Sequence, residues 1–163
     1  MSGKCLRTLK GHTSVIYCLE IIDDSLISGS VDKSIKCWNI AKCHCAKTLQ
    51  GHTGGVTDLK ALVGDMFLSS SFDATIKVWS LREGKCLRTL TGHEKGVFCL
   101  KLIGKERMVS GSLDATIKVW NLKTFEVVNT LSGHMDFVLC FELAPNRLLS
   151  GSADKTIKAW EMD

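Results

Sequence analysis

Apolar and polar positions alternate along this chain in short runs, broken by clusters of Gly, Asp, Asn and Lys. The stretch after Gly92-His93 shows the grammar: Val97–Leu102, a charged turn from Gly104 to Arg107, Met108–Ser112, a Leu113-Asp114-Ala115 turn, Thr116–Trp120, a polar turn, and Glu126–Leu131. Such runs, rich in β-branched and aromatic residues and bounded by turn formers, predict four consecutive strands. No segment carries apolar residues at helical spacing over three turns. Turns of about three to six residues force antiparallel neighbours and leave no room for crossover helices. The fold class expected is all-β.

The same grammar is written four times. SGSLDATIKVW at Ser110–Trp120 recurs as SGSVDKSIKCW at Ser28–Trp38, SSSFDATIKVW at Ser69–Trp79 and SGSADKTIKAW at Ser150–Trp160, each preceded by Gly-His at Gly11, Gly51, Gly92 and Gly133. The tryptophans are 41, 41 and 40 residues apart. A period of that length means an array of identical modules, and one four-stranded sheet cannot cover both of its faces alone, so the copies must stack face to face. The expected boundaries are about 11–50, 51–91, 92–132 and 133–163, after a strand at 3–10.

Composition narrows the function classes. Of 163 residues, 45% are hydrophobic and 23% charged, as in ordinary globular domains. The net charge of +4 comes from lysines spread over every repeat, which argues against nucleic-acid or membrane attraction. No apolar run reaches a membrane span, and the N-terminus has no signal-peptide core, so a cytoplasmic or nuclear location is expected. The eight cysteines fall into repeat register: Cys5, Cys45 and Cys86 share one position, and Cys18, Cys99 and Cys140 another, while Cys37 aligns with Val78, Val119 and Ala159. They read as small buried hydrophobes in a reducing compartment. Cys43-His44-Cys45 lacks a fourth donor and alternates faces on a strand, so no metal and no cofactor is expected.

Gly-His, then Ser-Gly-Ser-x-Asp, then Thr-Ile-Lys-x-Trp at this period resembles the WD-repeat family of β-propellers, over the whole chain. The phrase Gly-Lys-Cys-Leu-x-Thr-Leu-x-Gly-His is most similar to the propellers of F-box/WD-repeat proteins and TRAF-type ubiquitin ligases. Two departures stand out: no Trp is followed by Asp, and Ser70 replaces a Gly. The resemblance implies a structural hydrogen-bond chain in each repeat. Its members are His12, Ser28, Asp32 and Trp38; His52, Ser69, Asp73 and Trp79; His93, Ser110, Asp114 and Trp120; and His134, Ser150, Asp154 and Trp160. The pattern does not choose between Ser28 and Ser30. A hydrolase triad of His93, Ser110 and Asp114 is the rival reading, but it would need four active sites without a nucleophile elbow, so no catalytic residue is expected.

The phrase Lys4–Leu9 matches Lys85–Leu90, the outermost strand of a repeat, whereas the last repeat stops after its third strand. A half-ring would expose two blade faces. Two chains make eight blades, and the favoured expectation is a homodimer closing one eight-bladed ring, each N-terminal strand completing the other chain's last blade. A closed four-bladed monomer and a fragment of a longer chain are the rivals. Large Trp, Phe and Leu side chains at the blade interfaces disfavour the sharp turns of a four-bladed ring.

In the family resembled, partners sit where the turns before the Asp and the loops into the first strand emerge. The matching positions are Val15, Tyr17, Val31, Thr57, Phe72, Phe98, Leu113, Phe137 and Leu139, with Gly55, Gly96 and Ala153. They are apolar and aromatic, with no Arg or Lys, which suits a protein or peptide ligand and not a phosphopeptide. The function expected is a non-enzymatic protein–protein interaction scaffold. The alternatives are a substrate-recruiting module of a ubiquitin ligase and a structural or engineered half-propeller with no ligand.

Overall fold

The grammar of four runs becomes four antiparallel sheets in the computed structural model, which describes residues 3–162. Blade 1 holds β1 (Ile16–Ile22), β2 (Ser25–Ser30), β3 (Ile35–Asn39) and β4 (His44–Leu49). Blade 2 holds β5 (Val56–Ala61), β6 (Met66–Ser71), β7 (Ile76–Ser80) and β8 (Lys85–Leu90). Blade 3 holds β9 (Val97–Ile103), β10 (Arg107–Ser112), β11 (Ile117–Asn121) and β12 (Val127–Leu131). Blade 4 has three strands, β13 (Val138–Ala144), β14 (Arg147–Ser152) and β15 (Ile157–Glu161). Every strand pairs only with its neighbours in sequence.

Two irregularities recur in register. The first strand of each blade bulges, leaving Tyr17, Thr57, Phe98 and Leu139 without a cross-strand partner. A bulge re-aims a side chain and sharpens the local twist, here at the end where the candidate ligand face was placed. The turn before each third strand holds a non-glycine residue in the left-handed region: Lys33, Ala74, Ala115 and Lys155, at φ of 67° to 71°. That conformation costs about 1 kcal/mol. The preceding Asp offsets it, because its carboxylate accepts the backbone N–H of Ser34, Thr75, Thr116 or Thr156 at 2.8–3.0 Å.

The blades stack in order, β1 on β5, β5 on β9 and β9 on β13, with no comparable packing of β13 on β1. Three apolar cores result, one for each seam. The four blades therefore form an open arc among the described residues. Equivalent side chains show the opening: Ile35, Ile76 and Ile117 are at most 1% exposed, whereas Ile157 on the outer side of blade 4 is 78% exposed. At the other end, Ile16 is 47% exposed where Val56, Val97 and Val138 are fully buried.

The strand expected over 3–10 is not formed within the single chain, where this segment pairs with nothing. The cysteines also divide. Cys37 and Cys99 are buried, and Cys18 is half-buried with its thiol pushed up to about 12 by desolvation. Cys140 is exposed because no blade covers its side, and the outer-strand cysteines Cys45 and Cys86 are only half-buried.

Candidate functional site

Two features were singled out from the residues, and the fold places them differently. The first is the polar chain. In blade 3 the Trp120 indole N–H donates to Ser110 Oγ at 2.8 Å, and Ser110 meets His93 Nε2 at 2.7 Å. His93 Nδ1 meets Asp114 Oδ2 at 2.8 Å. The Asp114 carboxylate can only accept, which places the ring proton on Nδ1 and leaves Nε2 to accept the Ser110 hydroxyl, whose oxygen takes the indole N–H. The neutral imidazole then donates from Nδ1 to the carboxylate. His12, Ser28, Asp32 and Trp38 repeat this at 2.7–2.8 Å. His52, Ser69, Asp73 and Trp79 do so at 2.6–2.7 Å, and His134, Ser150, Asp154 and Trp160 at 2.7–2.8 Å.

The first serine of each pair is the network member. Ser30 instead caps the turn, accepting the Asp32 N–H at 3.1 Å. Reading from residues alone missed one participant, the hydroxyl two positions after each Asp. Ser34, Thr75, Thr116 and Thr156 each donate to that carboxylate at 2.6 Å. Its signal was present, since every copy has Ser or Thr before the Ile-Lys pair.

Burial pushes the Asp73 and Asp114 carboxyls up, but the hydrogen bonds from Thr75 or Thr116, the histidine and backbone N–H groups outweigh it. Both carboxyls end at about 2. Burial lowers His52 and His93, with the aspartates opposing in part, which matches the neutral ring that the network requires. No buried side-chain N or O among the described residues lacks a partner. A polar chain satisfied throughout fixes one packing of each blade. The distances match those of a serine hydrolase triad, yet Ser110 is fully buried and its oxygen is held by Trp120. A nucleophile needs an open approach, which this serine does not have.

The second feature is the apolar face. Each turn before the Asp is tied to the loop entering the first strand by one backbone bond. The bonds run from Val31 to Val15, Phe72 to Gly55, Leu113 to Gly96 and Ala153 to Phe137, at 2.9–3.0 Å. The turns and loops therefore share one end of the arc. On it Tyr17 meets Phe72 edge-on at 5.9 Å between centroids, and Phe72 meets Phe98 at 6.2 Å. Three rings from three blades thus form one run. Val15, Tyr17, Phe72 and Phe137 are exposed, and Val31, Phe98, Leu113 and Leu139 are half-buried.

Thr57 departs from this set. It is buried, bonding Ser70 Oγ at 2.8 Å and donating to the Val97 carbonyl of the next blade at 2.6 Å. It ties a seam and offers nothing to a ligand. No cluster of three or more His, Cys, Asp or Glu suited to a metal occurs among the described residues. Cys43 itself lies in a left-handed turn with its thiol on the Ile40 carbonyl.

The four-blade geometry coincides with four matches to the family model described as WD domain, G-beta repeat, at residues 3–39, 43–80, 84–121 and 125–161. The chain belongs to the WD-repeat family. WD-repeat propellers are generally interaction scaffolds. F-box/WD repeat-containing protein sel-10 of Caenorhabditis elegans is 51% identical over 49 residues, which are 29% of this chain and 8% of that protein. The chain spans a tenth or less of the length of such curated relatives. Among solved structures, the computationally designed Ika4 protein superposes with a TM-score of 0.86 at 33% identity, covering 99% of both chains. The designed Ika8 protein superposes with a TM-score of 0.82 at 32% identity, over 95% of this chain and 48% of that one.

Proposed function

We propose that this WD-repeat chain is a non-enzymatic scaffold, cytoplasmic or nuclear, that binds an extended peptide or protein segment on its apolar end face. The observation that carries this reading is the aromatic run Tyr17–Phe72–Phe98. Rigid rings with little conformational entropy to lose, fixed across two seams, are the anchors that binding hot spots use. The test is selection of a random peptide library on the immobilised protein, with enriched peptides titrated against F72A. The expected outcome is enrichment of peptides with apolar anchors whose affinity falls at least tenfold on F72A. Peptides that bind F72A equally, or no enrichment at all, would overturn it. An empty selection would leave a half-propeller without a ligand, the reading that the likeness to designed Ika4 favours. The F-box/WD relative supports a second reading, recruitment of substrates to a ubiquitin ligase.

The scaffold also works as a homodimer closing one eight-bladed ring. Three seam cores for four blades, with apolar faces left open at both ends, support this, as does the match to 48% of Ika8.

A further inference from the structure

We propose that the end of the arc opposite the aromatic run holds a second docking site, a groove at the seam of blades 2 and 3 that takes a peptide segment carrying a large apolar residue beside a carboxylate. The site is separate from the face that bears Phe72, and it selects a different chemistry.

The order of strands places it. The Asp turns join second to third strands, so the β5–β6, β9–β10 and β11–β12 turns all emerge at the other end. Between them lies a groove of about 290 Å³, lined by Leu62, Val63, Met66, Leu102, Leu122 and Phe125. Val63 is exposed and the other five are half-buried. Leu62, Leu102, Leu122 and Phe125 pack on the buried core of this seam, so the floor of the groove is formed before anything docks. A space of this size receives one or two large side chains.

The other copies of the repeat do not write these residues. Where blade 2 has Leu62 and Val63 in its first turn, blade 1 has Asp23-Asp24 and blade 4 has Pro145-Asn146. Apolar turn residues gathered beside an apolar seam mark an interaction surface. Phe125 is the second departure. It sits in the left-handed region at φ 63°, where blade 2 has Gly84 at 67° and blade 1 has Cys43 at 54°. A bulky side chain is strained there and glycine is not. The Arg88 guanidinium lies over the Phe125 ring, 5.5 Å from its centroid. At the first seam Lys47 takes the place of Arg88 and fills the corresponding space. Its Cδ comes within 3.5 Å of where a Cβ on Gly84 would stand, and its Nζ donates to the Leu81 and Arg82 carbonyls at 2.8 and 2.7 Å. Blade 3 thus keeps a strained aromatic where glycine would serve, with its ring fixed as one wall of the groove. Strain retained at such a turn points to function.

Charge selects the occupant. Lys105 is the one charged residue lining the groove, and it forms no ion pair among the described residues. The acids of the neighbouring turns are already engaged. Glu106 bridges to Lys123, and Asp65 accepts the Ser80 hydroxyl and the Arg82 N–H. Arg88 adds a second cation at the Phe125 wall. An apolar cleft with a cationic rim is complementary to an apolar side chain flanked by a carboxylate.

Methyl NMR spectra of the full chain test this. The probes are the tetrapeptides acetyl-Gly-X-Asp-Gly-amide and acetyl-Gly-Asp-X-Gly-amide, X being Leu, Met or Phe, and the same peptides with Asn in place of Asp. Expected are saturable shifts at the methyl groups of Leu62, Val63, Met66, Leu102 and Leu122, with the Asn peptides binding about two- to fivefold more weakly. K105E should erase that preference, and F125G should weaken binding about tenfold. F125G introduces the residue that blade 2 carries at this turn, so the fold is retained, which circular dichroism checks. F72A should bind as the parent does. No shift at these methyl groups, equal binding of Asp and Asn peptides, unaltered binding to F125G or weakened binding to F72A would each overturn the proposal. Octanoate shifting these methyl groups where no peptide does would make the groove a site for a lipid chain. The same shifts on concentrating the protein alone would make the occupant a second copy, and either result overturns the peptide.

Discussion

The seam between blades 3 and 4 and the open side of blade 4 are written by the same repeat pattern, yet only one is a core. At the closed seam, a Cβ added to Gly111 would meet Val138 Cγ1 at 2.7 Å, Cys99 Sγ at 2.8 Å and the Phe141 ring at 3.0 Å. At the open side, a Cβ added to Gly151 would meet Cys140 Sγ alone. The repeat writes the same surface into every blade, and burial then depends on whether a neighbour arrives. Apolar character in such a protein is thus a property of the seam and not of the residue.

Three predictions press on this contrast. The largest effect is at Gly111: G111A should destabilise by about 1–3 kcal/mol in urea denaturation, because the methyl group would press on the packed side chains of Cys99, Val138 and Phe141 from both blades. G151A should cost under about 0.5 kcal/mol at low protein concentration, since an exposed thiol can turn aside. If rings close, the G151A penalty grows with concentration as a partner's blade arrives. Equal penalties at all concentrations would break the comparison.

The second concerns pH. The folded pKa of Asp73 and Asp114, about 2, lies below the usual carboxylate value near 4, so their contribution is present above about pH 4 and is lost as pH falls through about 2. His52 and His93 are lowered by burial, so the unfolded chain takes up protons first, and stability starts to fall below about pH 6.5. Thermal melts should show Tm declining in these two stages. D114N should flatten the lower one, and an unchanged profile for D114N would remove that residue from the account.

The smallest effect lies at the inner end of the seams. Lys101 bridges to Glu142 at 2.9 Å across blades 3 and 4, whereas the closing seam would bring Glu142 towards the partner's Glu20, a like-charged pair in the same register. E20K should tighten dimerisation about two- to fivefold at low salt, an effect that shrinks as salt rises. Weaker association would mean that the ring closes with a different geometry.

The period and the strand order could be read from residue order, because each repeats and depends on local turn chemistry, whereas the His–Ser–Asp–Trp chain, whose bonded members lie up to 21 residues apart, was supplied by the family resemblance. What could not be read depends on which face meets a neighbour. Thr57 shares its bulge position with Tyr17 and Phe98, but it turns into the seam because Ser70 and the Val97 carbonyl are there to receive it. Ser70 was legible as a departure, though its consequence was not. It goes with Asp58, which stands where Cys18, Cys99 and Cys140 stand and accepts the Leu100 N–H of the next blade at 2.8 Å. One seam has exchanged a Gly–Cys contact for a polar one, and two separate positions carry that exchange.

The sequential pairing of strands has a kinetic consequence. Every hydrogen-bonded pair joins strands adjacent in the chain, so each blade can form from local contacts and each seam from consecutive blades, steps whose rates do not depend on protein concentration. Ring closure between two copies would be the sole second-order event. Dilution would then slow the last step of assembly while leaving every earlier one untouched, and amides of β13–β15 would exchange with solvent faster in the dilute protein than those of β5–β7.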